Sequence, residues 1–130
     1  MLEGVSLRLS VLILIISIFF IGCEKKTSYK KHTEKYYQQK FCKVVGGKME
    51  VRLKDRTRVD CLTSEYAIEV DFAKKWAEGI GQSLYYALMT GKKPAVALII
   101  GEKDKRYLKR AKKVAKKYKI KILTIKKGYK

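Results

Sequence analysis

Acidic residues are scarce in this chain. Twelve Asp and Glu stand against 31 Lys and Arg over 130 residues, a formal net charge of +19 at pH 7. Histidine occurs once, at His32, and cysteine three times, at Cys23, Cys42 and Cys61. So few of these residues, in no ligand spacing, exclude a recognisable Cys/His zinc site. No apolar run reaches the roughly 20 residues of a comfortable membrane-spanning helix. The longest, VLILIISIFFI from Val11 to Ile21, is apolar except for Ser17. The length allows one domain and not two. A balance this basic favours anionic partners, either nucleic acid or acidic lipid headgroups, without choosing between them. Lysine-rich usage with no partner gives the same charge.

The apolar run has the length of a signal-peptide h-region, behind an n-region MLEGVSLR that carries both Arg8 and Glu3. Phe20-Ile21-Gly22-Cys23 resembles the bacterial lipobox, with Phe20 where Leu is usual. The resemblance implies lipidation of Cys23 as the new N-terminus, and a protein of the cell envelope tethered to a membrane. The alternative is an uncleaved helix anchoring an inner-membrane protein by its N-terminus. On this reading residues 1–23 are signal or anchor, residues 24–31 (EKKTSYKK) a polar tether, and residues 32–130 a single domain. Removing Arg8 and Glu3 with the signal leaves the charge at +19. With Cys23 accounted for, Cys42 and Cys61 form an even pair. Export permits a disulfide between them, and two buried small apolar side chains are the other reading.

The rest of the chain alternates in period. Tyr37, Phe41, Val44 and Val45 recur at helical spacing over residues 33–45, and Gly46-Gly47 ends that helix. Three short strands follow. Met49, Val51 and Leu53 alternate with polar residues, then Thr57, Val59 and Cys61, then Ile68, Val70 and Phe72. Lys54-Asp55-Arg56 is a tight turn without the favoured glycine. The period of two puts Glu69 and Asp71 on one strand face and sets Asp60 opposite Val59 and Cys61. Residues 73–90 form a helix whose apolar side is Trp76, Ala77, Ile80, Leu84, Ala87 and Leu88, with Lys75, Gln82 and Tyr86 opposite. Gly79 and Gly81 weaken it by roughly 1 kcal/mol each relative to Ala, which implies close packing or backbone approach. PAVALII (residues 94–100) suits a central strand. Residues 105–118 form a Lys-rich amphipathic helix, and residues 120–125 a last strand. The expected class is α/β, or α+β, built on a mixed sheet.

From Asp60 to Ile100 this order resembles the PD-(D/E)xK nuclease superfamily, the restriction-endonuclease-like fold: helix, three-strand meander, helix and strand, here followed by a further helix and strand. The resemblance implies that Asp60 is the first acid and Glu69 the second. Asp71 stands at the usual lysine position, and a lysine displaced onto the next helix takes that role. Lys75 lies about 20° round from Gln82 and Lys74 about 80°, so Lys75 is preferred. Gln82 and Tyr86 match a Q-xxx-Y motif found after the third strand, and Glu34 an added metal-site glutamate. The resemblance thus implies catalytic Asp60, Glu69, Lys75, Gln82 and Tyr86. Asp60, Glu69, Asp71 and Glu34 would hold Mg2+ or Mn2+ through oxygen, lowering the pKa of water and stabilising phosphoryl charge.

The function that follows is divalent-metal-dependent hydrolysis of nucleic-acid phosphodiesters, or a degenerate descendant of such an enzyme. The partner would be nucleic acid read without sequence preference, alongside a membrane and with no small-molecule cofactor. Two alternatives carry no catalysis. One is a tethered basic module that binds DNA or anionic envelope material. The other is a structural envelope lipoprotein whose charge is incidental.

Overall fold

The computed structural model describes residues 32–128. These belong to one compact unit. The apolar run Val11–Ile21, Cys23 and the tether 24–31 lie outside the described residues.

The elements are α1 (Glu34–Val44), β1 (Lys48–Arg52), β2 (Arg58–Leu62), β3 (Tyr66–Phe72), a 3-10 turn (Ala73–Lys75), α2 (Trp76–Thr90), β4 (Lys93–Ile100), a second 3-10 turn (Glu102–Asp104), α3 (Lys105–Tyr118) and β5 (Lys121–Lys126). One five-stranded sheet runs in chain order, β1-β2-β3-β4-β5. The β1–β2 and β2–β3 pairs are antiparallel, whereas β3–β4 and β4–β5 are parallel. This bears out a mixed sheet with a meander followed by helix–strand repeats. Both parallel crossovers advance in the same direction, and right-handed connections put both helices on one face of the sheet.

That face is α2 and α3 over β4 and β5. Ile80 and Trp76 of α2, with Leu108, Ala111 and Ala115 of α3, pack on Val96, Leu98 and Ile122. The opposite face is covered by α1, whose Tyr37, Phe41 and Cys42 pack on Ile68, Val70, Ala97 and Ile99. Leu98, Ile99, Val70 and Val96 are fully buried. Each such side chain contributes about 1.5–3 kcal/mol relative to exposure. The apolar run of β4 is thus the covered centre of the sheet, as its composition implies.

Local chemistry sets the turns. Thr33 caps α1, its Oγ1 accepting from the Tyr36 amide. Asp55 Oδ1 accepts from the Thr57 amide and hydroxyl, while Arg56 adopts φ 73°, the position a glycine would favour. Cys42 and Cys61 are bonded, with Cα atoms 5.6 Å apart, and both are fully buried. This settles the open choice in favour of the disulfide, and it also explains Gly47. A Cβ there would overlap Cys61 Sγ and lie 2.9 Å from Cys42 Sγ.

Two expected helix faces need correction. In α1 the buried residues are Tyr37, Gln38 and Cys42, while Val44 is 73% exposed. In α2 they are Gly79, Ile80, Ser83, Tyr86 and Ala87, while Leu84 and Leu88 face solvent. The reason lies in the floor beneath α2. That floor carries Glu69 and Asp71, so small and polar residues fit it better than leucine. Gly79 lets the helix come close, since a Cβ there would meet Val96 Cγ1 at 3.1 Å and Asp71 Cβ at 3.6 Å.

Among the described residues no helix is long and apolar enough to cross a membrane, and the longest is the 15-residue α2. The expectation of a membrane partner reached through a helix is corrected accordingly.

Candidate functional site

Two features stand out, a buried carboxyl cluster beneath α2 and a cationic helix beside it. The cluster begins where the β2–β3 ladder opens. Those strands pair at Cys61↔Ile68 and Leu62↔Ala67 and go no further along β2. At the opening Asp60 supplies the missing acceptor, its Oδ2 taking the Val70 amide at 2.9 Å. Gln38, reaching down from α1, donates through Nε2 to Asp60 Oδ1 and to the Asp60 carbonyl, each at 3.1 Å. Both carboxylate oxygens of Asp60 are therefore engaged by the protein's own donors. Burial pushes its pKa up to about 6, against the Val70 hydrogen bond, which lowers it.

Glu69 and Asp71 share the β3 face under α2, as the strand period implies. Asp71 is 2% exposed and Glu69 6%. Burial, and then the charges of Asp60 and Asp71, push Glu69 up to about 9, so it holds its proton at neutral pH. Its Oε2 is buried without a hydrogen-bond partner. Asp71 is raised to about 7 by burial first and then by a hydrogen bond to Glu34. Lys75 bridges this pair, its Nζ 3.4 Å from Asp71 Oδ1 and 3.7 Å from Glu34 Oε2. The Asp71 and Glu34 charges in turn raise the Lys75 pKa. Lys75, rather than Lys74, is thus the lysine that reaches the cluster.

Gln82 and Tyr86 are also neighbours on α2, where the Gln82 side chain acts to lower the Tyr86 pKa. Tyr86 is buried against Val59 and Ala67, at the far end of the carboxyl face from Lys75. Burial, and then the nearby Glu69 charge, raise the pKa of its phenol.

The expected site residues are therefore neighbours, but not as a ligand shell. Among the described residues no three His, Cys, Asp or Glu form a group that could hold a metal ion. Asp60 is occupied by Val70 and Gln38, and Glu34 and Asp71 share an ammonium. Glu69 alone keeps an unpartnered oxygen. Sequence reasoning missed Gln38 and Ser83, both buried and polar. Their only sequence signal is a polar residue interrupting a helix's covered stripe.

The cationic helix is α3. Between Lys105 and Lys119 stand nine Lys and Arg, and residues 105–130 contain no acid at all. Ala111 and Ala115 are buried, while Lys109, Arg110, Lys112, Lys113, Lys116 and Lys117 are exposed. None of these six cations is in a salt bridge among the described residues.

Compared with known proteins, the chain is 36% identical over 97 residues to a protein of Acanthamoeba polyphaga mimivirus named as KilA-N domain-containing. The match covers 73% of this chain and 38% of that protein, so the chain spans well under half of the relative's length. No family model and no solved structure matches. These findings overturn the expected membership of the PD-(D/E)xK superfamily. The relative bears the name of a different domain, and the acids do not gather as a metal site. The mixed α/β architecture stands, and its assignment as a restriction-endonuclease-like, nuclease-like domain is withdrawn.

Proposed function

We propose that this protein is a nucleic-acid-binding module that grips the phosphate backbone through α3 without reading sequence. The observation that carries this reading is the unneutralised cationic face of α3. Like-charged side chains packed this closely repel one another, and that repulsion is relieved when they meet phosphates and release the counterions condensed there. Phosphate contacts fix position on a duplex or single strand and carry no sequence information. The similarity to a KilA-N domain-containing protein of Acanthamoeba polyphaga mimivirus is in keeping with this reading. The carboxyl cluster belongs to the fold on this account. Asp60 closes an open ladder, and Asp71 and Glu34 are held by Lys75.

The test is binding of fluorescent duplex and single-stranded DNA of unrelated sequences across a KCl series. Affinity should fall log-linearly with salt, with a slope of about −0.9 per phosphate contact on duplex, and should vary little between sequences. Binding absent even at low salt would leave the charge incidental and defeat the reading.

The orphaned Glu69 Oε2 supports a second, narrower reading, in which Mg2+ or Mn2+ enters beside Glu69 and Asp71 and competes with Lys75 and the resident protons. Hard cations take carboxylate oxygen, and metal uptake releases protons. Calorimetry of Mn2+ with wild type and Glu69→Gln would show heat and proton release lost in the variant. Equal heats in the two proteins exclude that cation site.

A further inference from the structure

Among the described residues the outer face of α2 stays exposed apart from the Tyr85 hydroxyl, which donates to Asp55 Oδ2, and it differs from the rest of the surface. Leu84 is 39% exposed, Tyr85 40%, Leu88 81% and Met89 43%. Half of the exposed large apolar side chains among the described residues therefore lie on this helix. Gly81 sits on the same face, and a Cβ there would meet nothing within 4 Å. Its neighbour Gly79 is explained by the strand beneath it, whereas nothing inside the fold requires Gly81. An exposed mid-helix glycine costs about 1 kcal/mol relative to Ala.

Charge separates this face from every other helix. From Trp76 to Gly91 there is no Lys or Arg, and Glu78 is the sole charged residue, in a chain of 31 cations. Two copies of a +19 chain repel over nearly all their surface. The cation-free face of α2 is where they can approach.

We infer that α2 is the contact of a symmetric homodimer, packing antiparallel on α2 of a second copy. Gly81 and Ala77 permit close approach of the two helices, and Leu84, Tyr85 and Leu88 fill the seam. A two-fold axis near Tyr85 sets Glu78 of each copy toward Lys92 of the other, at the same sequence distance beyond the axis. An isologous interface of this kind uses one patch twice. Because α3 lies beside α2 on the same sheet face, the dimer carries two cationic helices flanking its seam. The inference goes beyond the nucleic-acid reading and does not depend on it.

The experiment is analytical ultracentrifugation of the full chain, paired with engineered cross-linking. Wild type at up to about 0.1 mM should sediment at twice the 15.0 kDa chain mass, and Leu84→Glu/Leu88→Glu at the chain mass. In a Cys23→Ser background, Tyr85→Cys, which the two-fold axis sets against its own copy, should form a cross-linked dimer under mild oxidation, and Lys113→Cys on α3 should not. Monomeric wild type overturns the inference, as does a dimer that survives both glutamates. If the glutamate variant fails to fold, the cross-linking decides, and equal yields from Tyr85→Cys and Lys113→Cys overturn it. A monomer that pellets with phosphatidylglycerol vesicles through Leu88 would give the face to a lipid surface and overturn it equally.

Discussion

A single amide joins Gln38 to Asp60. Gln38 Nε2 lies 3.1 Å from Asp60 Oδ1 and 3.1 Å from its carbonyl oxygen, where the β2–β3 ladder has opened. Removing it leaves acceptors in a covered position without a donor. Gln38→Ala should destabilise the fold by about 1–3 kcal/mol, read from urea unfolding midpoints with an unchanged slope. Gln39→Ala, one residue on and exposed, should fall within about 0.5 kcal/mol of wild type. Equal effects from the two would deny Gln38 this role.

Stability should fall as pH rises through the neutral range. Glu69 is raised to about 9, Asp71 to about 7 and Asp60 to about 6, by burial foremost in each case. The folded state therefore binds more protons than the unfolded chain once pH exceeds ordinary carboxylate values near 4. The stability these groups contribute is fully present below that range, and it is lost as pH climbs through the three raised values. Melting temperature should decline between about pH 5 and about pH 9. Glu69→Gln should flatten the upper part of that decline and melt higher than wild type at the alkaline end. A flat wild-type profile would contradict the burial assigned to these acids.

Gly47 and the disulfide should act together. The crosslink spans 19 residues, and a loop of that size implies about 3 kcal/mol of stabilisation on chain-entropy grounds. Because a Cβ at position 47 would overlap Cys61 Sγ, Gly47→Ala should impair oxidation of the pair as well as stability. Counting free thiols under denaturing conditions checks this. Full oxidation in Gly47→Ala, with wild-type stability, would show that the glycine is dispensable.

Much of the architecture is written in local pattern. Alternation marks β1 to β3, the apolar run marks β4, and the Lys-rich amphipathic repeat marks α3, each because one kind of neighbour covers its buried side. The covered face of α2 was not legible, because helical apolar periodicity presumes an apolar floor. Here the floor is Glu69 and Asp71, and Ser83 and Tyr86 go down while Leu84 and Leu88 stay out. Asp60, Glu69 and Asp71 were identifiable as strand acids, but their partners were not. Gln38 lies 22 residues from Asp60 in sequence, and no local signal links them. The superfamily resemblance rested on element order and short motifs, and those same residues here close a ladder and hold a lysine.

The central claim, that α3 rather than the carboxyl cluster carries nucleic-acid binding, is tested most directly by one salt titration of three proteins. These are wild type, Lys109→Gln/Lys112→Gln/Lys113→Gln/Lys116→Gln, and Asp60→Asn/Glu69→Gln, each bound to the same DNA duplex with folding checked by circular dichroism. The account predicts that the α3 variant loses affinity and its log–log salt slope shrinks by about 0.9 for each phosphate contact removed. The carboxyl variant should follow the wild-type line. Wild-type binding by the α3 variant, with binding lost in the carboxyl variant, would contradict it.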